Sequence, residues 1–178
     1  MSKYTLLFDA NFWLMKTFHI CAKIKGKTLD FKESPEDDKN LLLWKLASDF
    51  AAEIKRFESV TDRVVYCSDS SSWRKSVSTI YKAHRKKDEK VDWSAVFKCH
   101  DGFILTLKKL GVIVCNSQSA EADDLIFVWS TLLNHNKENA IIISGDNDLL
   151  QLVNFDQASN SNTIYYNKFD KNLHVFNK

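Results

Sequence analysis

The stretch AIIISGDNDLLQLV, residues 140–153, sets four apolar residues before Ser-Gly-Asp-Asn-Asp and then returns to apolar residues at helical spacing. A short, unbroken apolar run is the signature of a strand buried on both faces. The run AIII (140–143) therefore reads as a strand, and Asp146 and Asp148 fall where it gives way to a helix. Three other runs have the same character: YTLLF (4–8), RVVYC (63–67) and VIVC (112–115). Helical patterns separate them. Leu43, Leu46, Ala47, Phe50, Ile54 and Phe57 recur at intervals of three and four. DWSAVFKCHDGFILTLKKLG (92–111) ends in Gly111, as a helix C-cap does. SAEADDLIFVWSTLLN (119–134) offers Ser119 as an N-cap and turns Leu125, Ile126, Trp129 and Leu132 or Leu133 inward. Strand and helix in alternation predict an α/β fold, a mostly parallel central sheet with helices on both faces. The tail NTIYYNKFDKNLHVFNK (162–178) reads as two strands around a turn, an edge hairpin.

With 178 residues the chain is long enough for one domain with a full core. Four glycines and one proline argue against disorder. No apolar run approaches the roughly 18 residues of a membrane span, and the N-terminus enters a strand with no secretory segment before it. The expected location is cytoplasmic, the host cytoplasm for a viral chain, and the expected state is a monomer. Cys21, Cys67, Cys99 and Cys115 form no CxxC pair and read as buried, reduced thiols. His19, His84, His100, His135 and His174 show no metal-ligand spacing and read as surface residues or as part of a basic insertion. Residues 23–39 read as an exposed connection.

The acids map onto the strand ends. Asp9 follows the first strand and Asp69 the second; Glu121, Asp123 and Asp124 lie beyond the third, and Asp146 and Asp148 beyond the fourth. In an open parallel sheet those ends share one edge, where ligands bind. Each acid alone has a structural explanation: helix cap, dipole partner or Asx-turn. Together they gather seven carboxylates in one region. Packed carboxylates raise one another's pKa unless a cation compensates. An all-oxygen donor set without Cys or His suits Mg²⁺ or Mn²⁺ over zinc. Seven acids are enough for two ions about 3.5–4 Å apart, the arrangement that supports in-line displacement at phosphorus.

Net charge is only +2, but Arg74–Lys90 holds seven basic and two acidic residues, a local +5. Arg74, Lys75, Lys82, Arg85, Lys86 and Lys87 are interleaved with Trp73 and Tyr81. Cations bind phosphates and aromatics stack on unpaired bases, so this insertion, about 70–92, reads as a substrate clamp beside the acids. A solvated helix face is the plainer alternative.

The combination of LLFDAN, VVYCSDSSSWRKS with YKAHR, EADD and SGDNDLLQLV resembles the 5′-nuclease family: flap endonucleases and 5′–3′ exonucleases, the phage RNase H type above all. The likeness spans roughly residues 4–155. It implies a PIN-like nuclease domain occupying 1–178. It implies a first metal group of Asp9, Asp69, Glu121 and Asp123, with Asp124 in the same acidic turn and Asp146 and Asp148 helping to position the ions. Arg74, Tyr81, Lys82 and Arg85 match the family's helical arch, in which Lys82 and its neighbours contact the scissile phosphate and single-stranded 5′ ends pass through. The implied substrate is DNA, or RNA on DNA, with a free 5′ end. Lys82 and Arg85 are the expected catalytic cations, stabilising charge on the phosphate. Family members continue into a helix–three-turn–helix part that grips duplex, with two further aspartates; this chain ends at Lys178 without it. It is expected to be a truncated form, or a minimal one whose duplex-binding part is a separate polypeptide. The rival readings are a PIN-type ribonuclease and a nucleic-acid-binding module inactive without that missing part. A phosphotransferase with Asp9 as nucleophile would want D-x-D, but position 11 is Asn11. Replacing Asp146 by Asn is expected to abolish cleavage and to hold or raise metal-free stability.

Overall fold

The computed structural model describes residues 3–175 except 33, 71, 73, 79, 82–87, 158 and 159. The four apolar runs form strands β1 (Tyr4–Asp9), β2 (Thr61–Cys67), β3 (Ile113–Cys115) and β4 (Asn139–Ser144). They pair in parallel in the order β3-β2-β1-β4. Their ends are level: Asp9 stands opposite Cys67, Cys67 opposite Cys115, and Phe8 opposite Ile143. Whatever follows these strands is therefore delivered to one edge. The chain runs outward from β1 through β2 to β3 and then crosses to β4 on β1's other side. That reversal leaves a crevice between the ends of β1 and β4, the usual ligand position in open α/β sheets.

Alternate strand residues serve two cores. Leu6, Phe8, Tyr66, Ile141 and Ile143 face α1 (Ala10–Lys25), α2 (Pro35–Phe57) and α4 (Trp93–Lys109). Leu7, Val65, Cys67, Ala140 and Ile142 face α5 (Ala122–His135). Between β2 and α4 lies a short helix, α3 (Arg74–Val77). After β4 come a 3₁₀ helix (Asn147–Leu152), then β5 (Asn154–Asp156), β6 (Ser161–Asn167) and β7 (Leu173–His174). Among the described residues no helix is long and apolar enough to cross a membrane.

Several expectations change in detail. The tail does contain an antiparallel pair, β6 with β7, but β6 also pairs in parallel with β4 and so extends the main sheet. β5 pairs antiparallel with β6. The "helix" after β4 is one 3₁₀ stretch. α1, which the sequence pattern does not assign, begins with no loop at all, because Asp9 is at once the last residue of β1 and the helix N-cap. Residues 23–39 are not a plain exposed connection: they hold the end of α1 and the start of α2, and Leu29, Phe31 and Asp38 are buried. Pro35 in the first turn, followed by Glu36, Asp37 and Asp38, is a helix start that the charge count obscures. α5 begins at Ala122, capped by Glu121 rather than Ser119, through a reciprocal box in which Asp124 accepts from the Glu121 N–H. Of its two candidate core leucines it is Leu133 that is buried, and Leu132 is exposed. Gly111 does follow α4, at φ 82°. The four cysteines are free thiols, three buried and Cys115 half-buried.

His100 is a correction. It is 6% exposed, and its Nε2 lies 2.9 Å from the Tyr66 hydroxyl inside the α4 core. Burial lowers its pKa to about 4, so it is a neutral core residue.

Candidate functional site

The crevice is a cavity of about 480 Å³ lined by Asp9, Asn11, Phe12, Met15, Asp69, Tyr81, Glu121, Asp123, Gly145, Asp146, Asn147 and Asp148. Six of the seven acids marked in the sequence are among them. Asp9, Asp146 and Glu121 each cap a helix, and Asp69 is tied to the start of α5, the helix that Glu121 caps.

Asp9 is the deepest, 4% exposed. One oxygen accepts from the Phe12 N–H at 2.9 Å and the other from the Ser144 hydroxyl at 2.9 Å. Burial pushes its pKa from 3.8 to about 7; the two hydrogen bonds oppose the rise, and the Asp123 and Asp69 charges add to it. Asp69 accepts from the Ala122 N–H at 2.6 Å, which ties the end of β2 to the start of α5. The same loop is held by the Ser68 N–H on the Cys115 carbonyl and the Ser70 N–H on the Ala120 carbonyl. Asp146 caps the 3₁₀ helix by accepting from the Asp148 N–H at 3.0 Å. Its own N–H donates to the Ser144 hydroxyl oxygen at 3.1 Å. Ser144 thus joins the β1 and β4 acids. Motif and charge do not single it out; its place as the last residue of the apolar strand is the available signal.

Glu121, 6% exposed, accepts from the Tyr81 hydroxyl at 2.7 Å and from Arg74 at 3.1 Å. Arg74 also forks onto Asp124, at 2.9 and 2.6 Å. Two members of the expected clamp, Arg74 and Tyr81, therefore meet the acids directly. Asp124 is set apart: it does not line the cavity, and its carboxylate is held by Arg74 and by the α5 cap. Lys75 lies in α3, its side chain outside the described residues, and Lys82, Arg85, Lys86 and Lys87 also lie outside them.

Among the described residues no three Asp, Glu, His or Cys side chains converge closely enough to enclose an ion as they stand. The bonds above explain the spread: Asp69 and Asp146 are drawn to backbone N–H groups, and Glu121 to Tyr81 and Arg74. Even so, the donor set fits a hard divalent cation. It is all carboxylate, with a desolvated Asp9 at its floor beside two like charges.

The family described as 5′-3′ exonuclease, N-terminal resolvase-like domain, matches residues 4–177. A flap endonuclease Xni of Shewanella woodyi is 32% identical over 117 residues, 66% of this chain and 44% of the relative. A 5′-3′ exonuclease of Mycoplasma pneumoniae is 46% identical over 48 residues, 27% of this chain and 16% of the relative. The chain thus spans less than half the length of these relatives. Among solved structures, the T5 D15 protein co-crystallised with metal ions superposes with a TM-score of 0.64 at 15% identity, covering 97% of this chain and 58% of that one. The T5 5′-exonuclease with bound zinc gives 0.65 at 15% identity, with the same coverage. At that identity the likeness shows the fold.

Proposed function

The chain belongs to the family of 5′-3′ exonuclease N-terminal resolvase-like domains, and from that premise we propose that it is the nuclease domain of a divalent-metal-dependent 5′ nuclease. It hydrolyses phosphodiester bonds near free 5′ ends of DNA, or of RNA on DNA. The observation that carries this reading is the cavity itself: six carboxylates, the buried Asp9 among them, beyond the ends of four parallel strands.

Asp9, Asp69, Glu121 and Asp123 would hold one ion, and Asp146 and Asp148 would help to hold a second, Mg²⁺ or Mn²⁺. Such ions, when bound, supply an acidified water and neutralise charge at the phosphoryl group. The protein's part is placement. The Phe12 N–H and Ser144 fix both oxygens of Asp9, and the Ala122 N–H fixes one of Asp69. Arg74 and Tyr81 set the Glu121 side chain. Asp124 serves in this scheme as the anchor of Arg74 and not as a ligand. Lys82 and Arg85 stabilise charge developing on the phosphate, and Lys75, Lys86 and Lys87 add phosphate contacts.

The test is cleavage of 5′-labelled DNA, as single strand, blunt duplex and 5′ flap, with Mg²⁺, Mn²⁺ or EDTA. Metal-dependent release from the 5′ end, strongest on frayed or flapped ends, is expected. Binding without cleavage in either metal would overturn the assignment for this span. Cleavage of RNA indifferent to its ends would favour a PIN-type ribonuclease.

A further inference from the structure

At the mouth of the carboxylate cavity two phenylalanines meet edge to face. Phe12, on the first turn of α1, lines the cavity. Phe169, on the turn between β6 and β7, packs on it with ring centroids 5.4 Å apart at 87°. Phe169 is nevertheless 69% exposed. An apolar ring left in water forgoes most of what burial would contribute, and this ring is not on a loose loop. The Lys168 N–H donates to the Ser144 carbonyl at 2.8 Å, and the Lys171 N–H to the Asn167 carbonyl at 2.9 Å. The Asn167 side chain accepts from the Phe169 N–H at 2.9 Å and donates to Asn147, a cavity residue, at 3.2 Å. The turn is bonded to the same Ser144 that orients Asp9.

Beneath the pair lies Gly145. A Cβ there would overlap both the Phe12 ring and the Phe169 ring. The rings can close over the SGDND turn only because that position has no side chain. Glycine, the turn bonds and the ring pair together build a fixed aromatic surface at the rim of the acidic cavity.

Resting on the nuclease reading, we propose that the Phe12–Phe169 pair is a stacking ledge for an unpaired nucleobase of the substrate strand next to the bond that is cut. The acidic floor repels a phosphate backbone except where cations mediate. The face of a base is uncharged and meets an aromatic ring without that conflict, whatever its sequence. Phe169 is a positioning residue here: it holds the nucleotide and leaves the reacting atoms to the acids.

The ledge is tested by two readouts on Phe169→Ala, Phe169→Trp and Gly145→Ala. The first is steady-state cleavage of a single-stranded 5′ end, normal or abasic at one of the first nucleotides. Loss of one stacked base should raise KM about tenfold with kcat little changed. Phe169→Trp should restore it, Gly145→Ala should mimic the loss by displacing the rings, and an abasic nucleotide at the stacked position should erase the difference. The second is binding, with Ca²⁺ in place of Mg²⁺, of an oligonucleotide carrying 2-aminopurine at successive positions. Wild type and Phe169→Trp should quench one position that Phe169→Ala does not. Equal quenching in all variants, or a Phe169→Ala penalty as large on the abasic strand, would overturn the ledge. The fluorescence readout needs no cleavage, so an inactive wild type that still quenches through Phe169 would sink the nuclease reading while leaving base stacking by Phe169 established.

Discussion

Replacing Asp9 by Asn should stabilise the metal-free protein while abolishing its proposed cleavage. The Asp9 pKa rises from 3.8 to about 7 on folding, chiefly through burial. At ~1.36 kcal/mol per pH unit this is a cost of up to about 4 kcal/mol to hold the ionised group in the folded state. The sign follows from the direction. The folded value lies above the unfolded one, so the favourable contribution is complete below pH 3.8 and is lost as pH rises through about 7. The substituted amide escapes the cost and keeps the geometry: its oxygen can accept from the Phe12 N–H, and its NH₂ can donate to the Ser144 hydroxyl oxygen. In EDTA at pH 8 the variant should therefore be more stable by about 2–4 kcal/mol, a Tm rise of about 5–15 °C for a chain of this size. At pH 4 the two proteins should melt together. Adding Mg²⁺ or Mn²⁺ should raise the wild-type Tm by mass action and leave the variant nearly unmoved. Thermal melts followed by circular dichroism at pH 4, 6 and 8, with and without EDTA, read all three effects. If Asp9→Asn melts below wild type at pH 8 in EDTA, the reasoning from a desolvated, uncompensated carboxylate is wrong. Asp146, half-exposed and capping the 3₁₀ helix, is the poorer place to look for this gain, although the sequence pointed there first.

Asp123→Asn should remove metal-dependent cleavage, whereas Asp124→Asn should retain most of it, since Asp124 faces Arg74 and the α5 cap; kcat/KM in Mg²⁺ for the two variants decides this. His100 has a folded pKa of about 4 against 6.5, so its contribution is present above 6.5 and lost as pH falls toward 4. Urea titrations at pH 7 and pH 4.5 should show His100→Gln losing less stability than wild type, by about 2–3 kcal/mol. Lys168→Met should cost about 3 kcal/mol, because Glu53, with a side chain only 1% exposed, loses its lysine partner. The double variant Glu53→Gln with Lys168→Met should recover most of that loss in the same assay, and no recovery would refute the pairing.

The parallel sheet was legible because β1, β2 and β4 carry apolar runs that are largely buried, although β3, at the sheet edge with Ile113 exposed, reads the same way in sequence without being covered on both faces. α1 was not, because Phe12, Met15 and Ile20 lie outside the stripe of Ala10, Trp13, Leu14, Phe18 and Cys21 that is buried, and these extra apolar residues blur its helical period in the sequence. The buried turn before α2 was hidden by its charges, yet Asp38 pairs with Lys25 and is fully enclosed. Composition reads such charges as solvent-facing, and only tertiary pairing contradicts it. Ser144 was missed for a related reason. A hydroxyl at a strand end carries little signal in sequence, and its role arises only when β1 and β4 stand level.

The two adjacent acids of EADD show why site geometry is harder to read than site location. Consecutive residues on a helix project about 100° apart, so Asp123 and Asp124 point in different directions, and only Asp123 lines the cavity. Which of them does so depends on where α5 begins. With Glu121 as the cap, Asp124 occupies the third helical position and closes the capping box on the Glu121 N–H. Its carboxylate is then presented to Arg74, and Asp123 is the one that reaches the cavity. The choice was not visible from spacing, because it rests on a bond from α3, some 50 residues away along the chain. Arg74 thereby connects the basic insertion to the acidic site. Its fork holds Asp124 and its second contact holds Glu121, so displacing Arg74 would change the orientation of Glu121, a proposed ligand. Arg74→Met should strengthen Mn²⁺ binding, measured by calorimetry in the absence of substrate, because it removes a cation beside the site and releases Glu121 from a competing partner. An unchanged or lower affinity would show that Arg74 does not compete with the ion for Glu121.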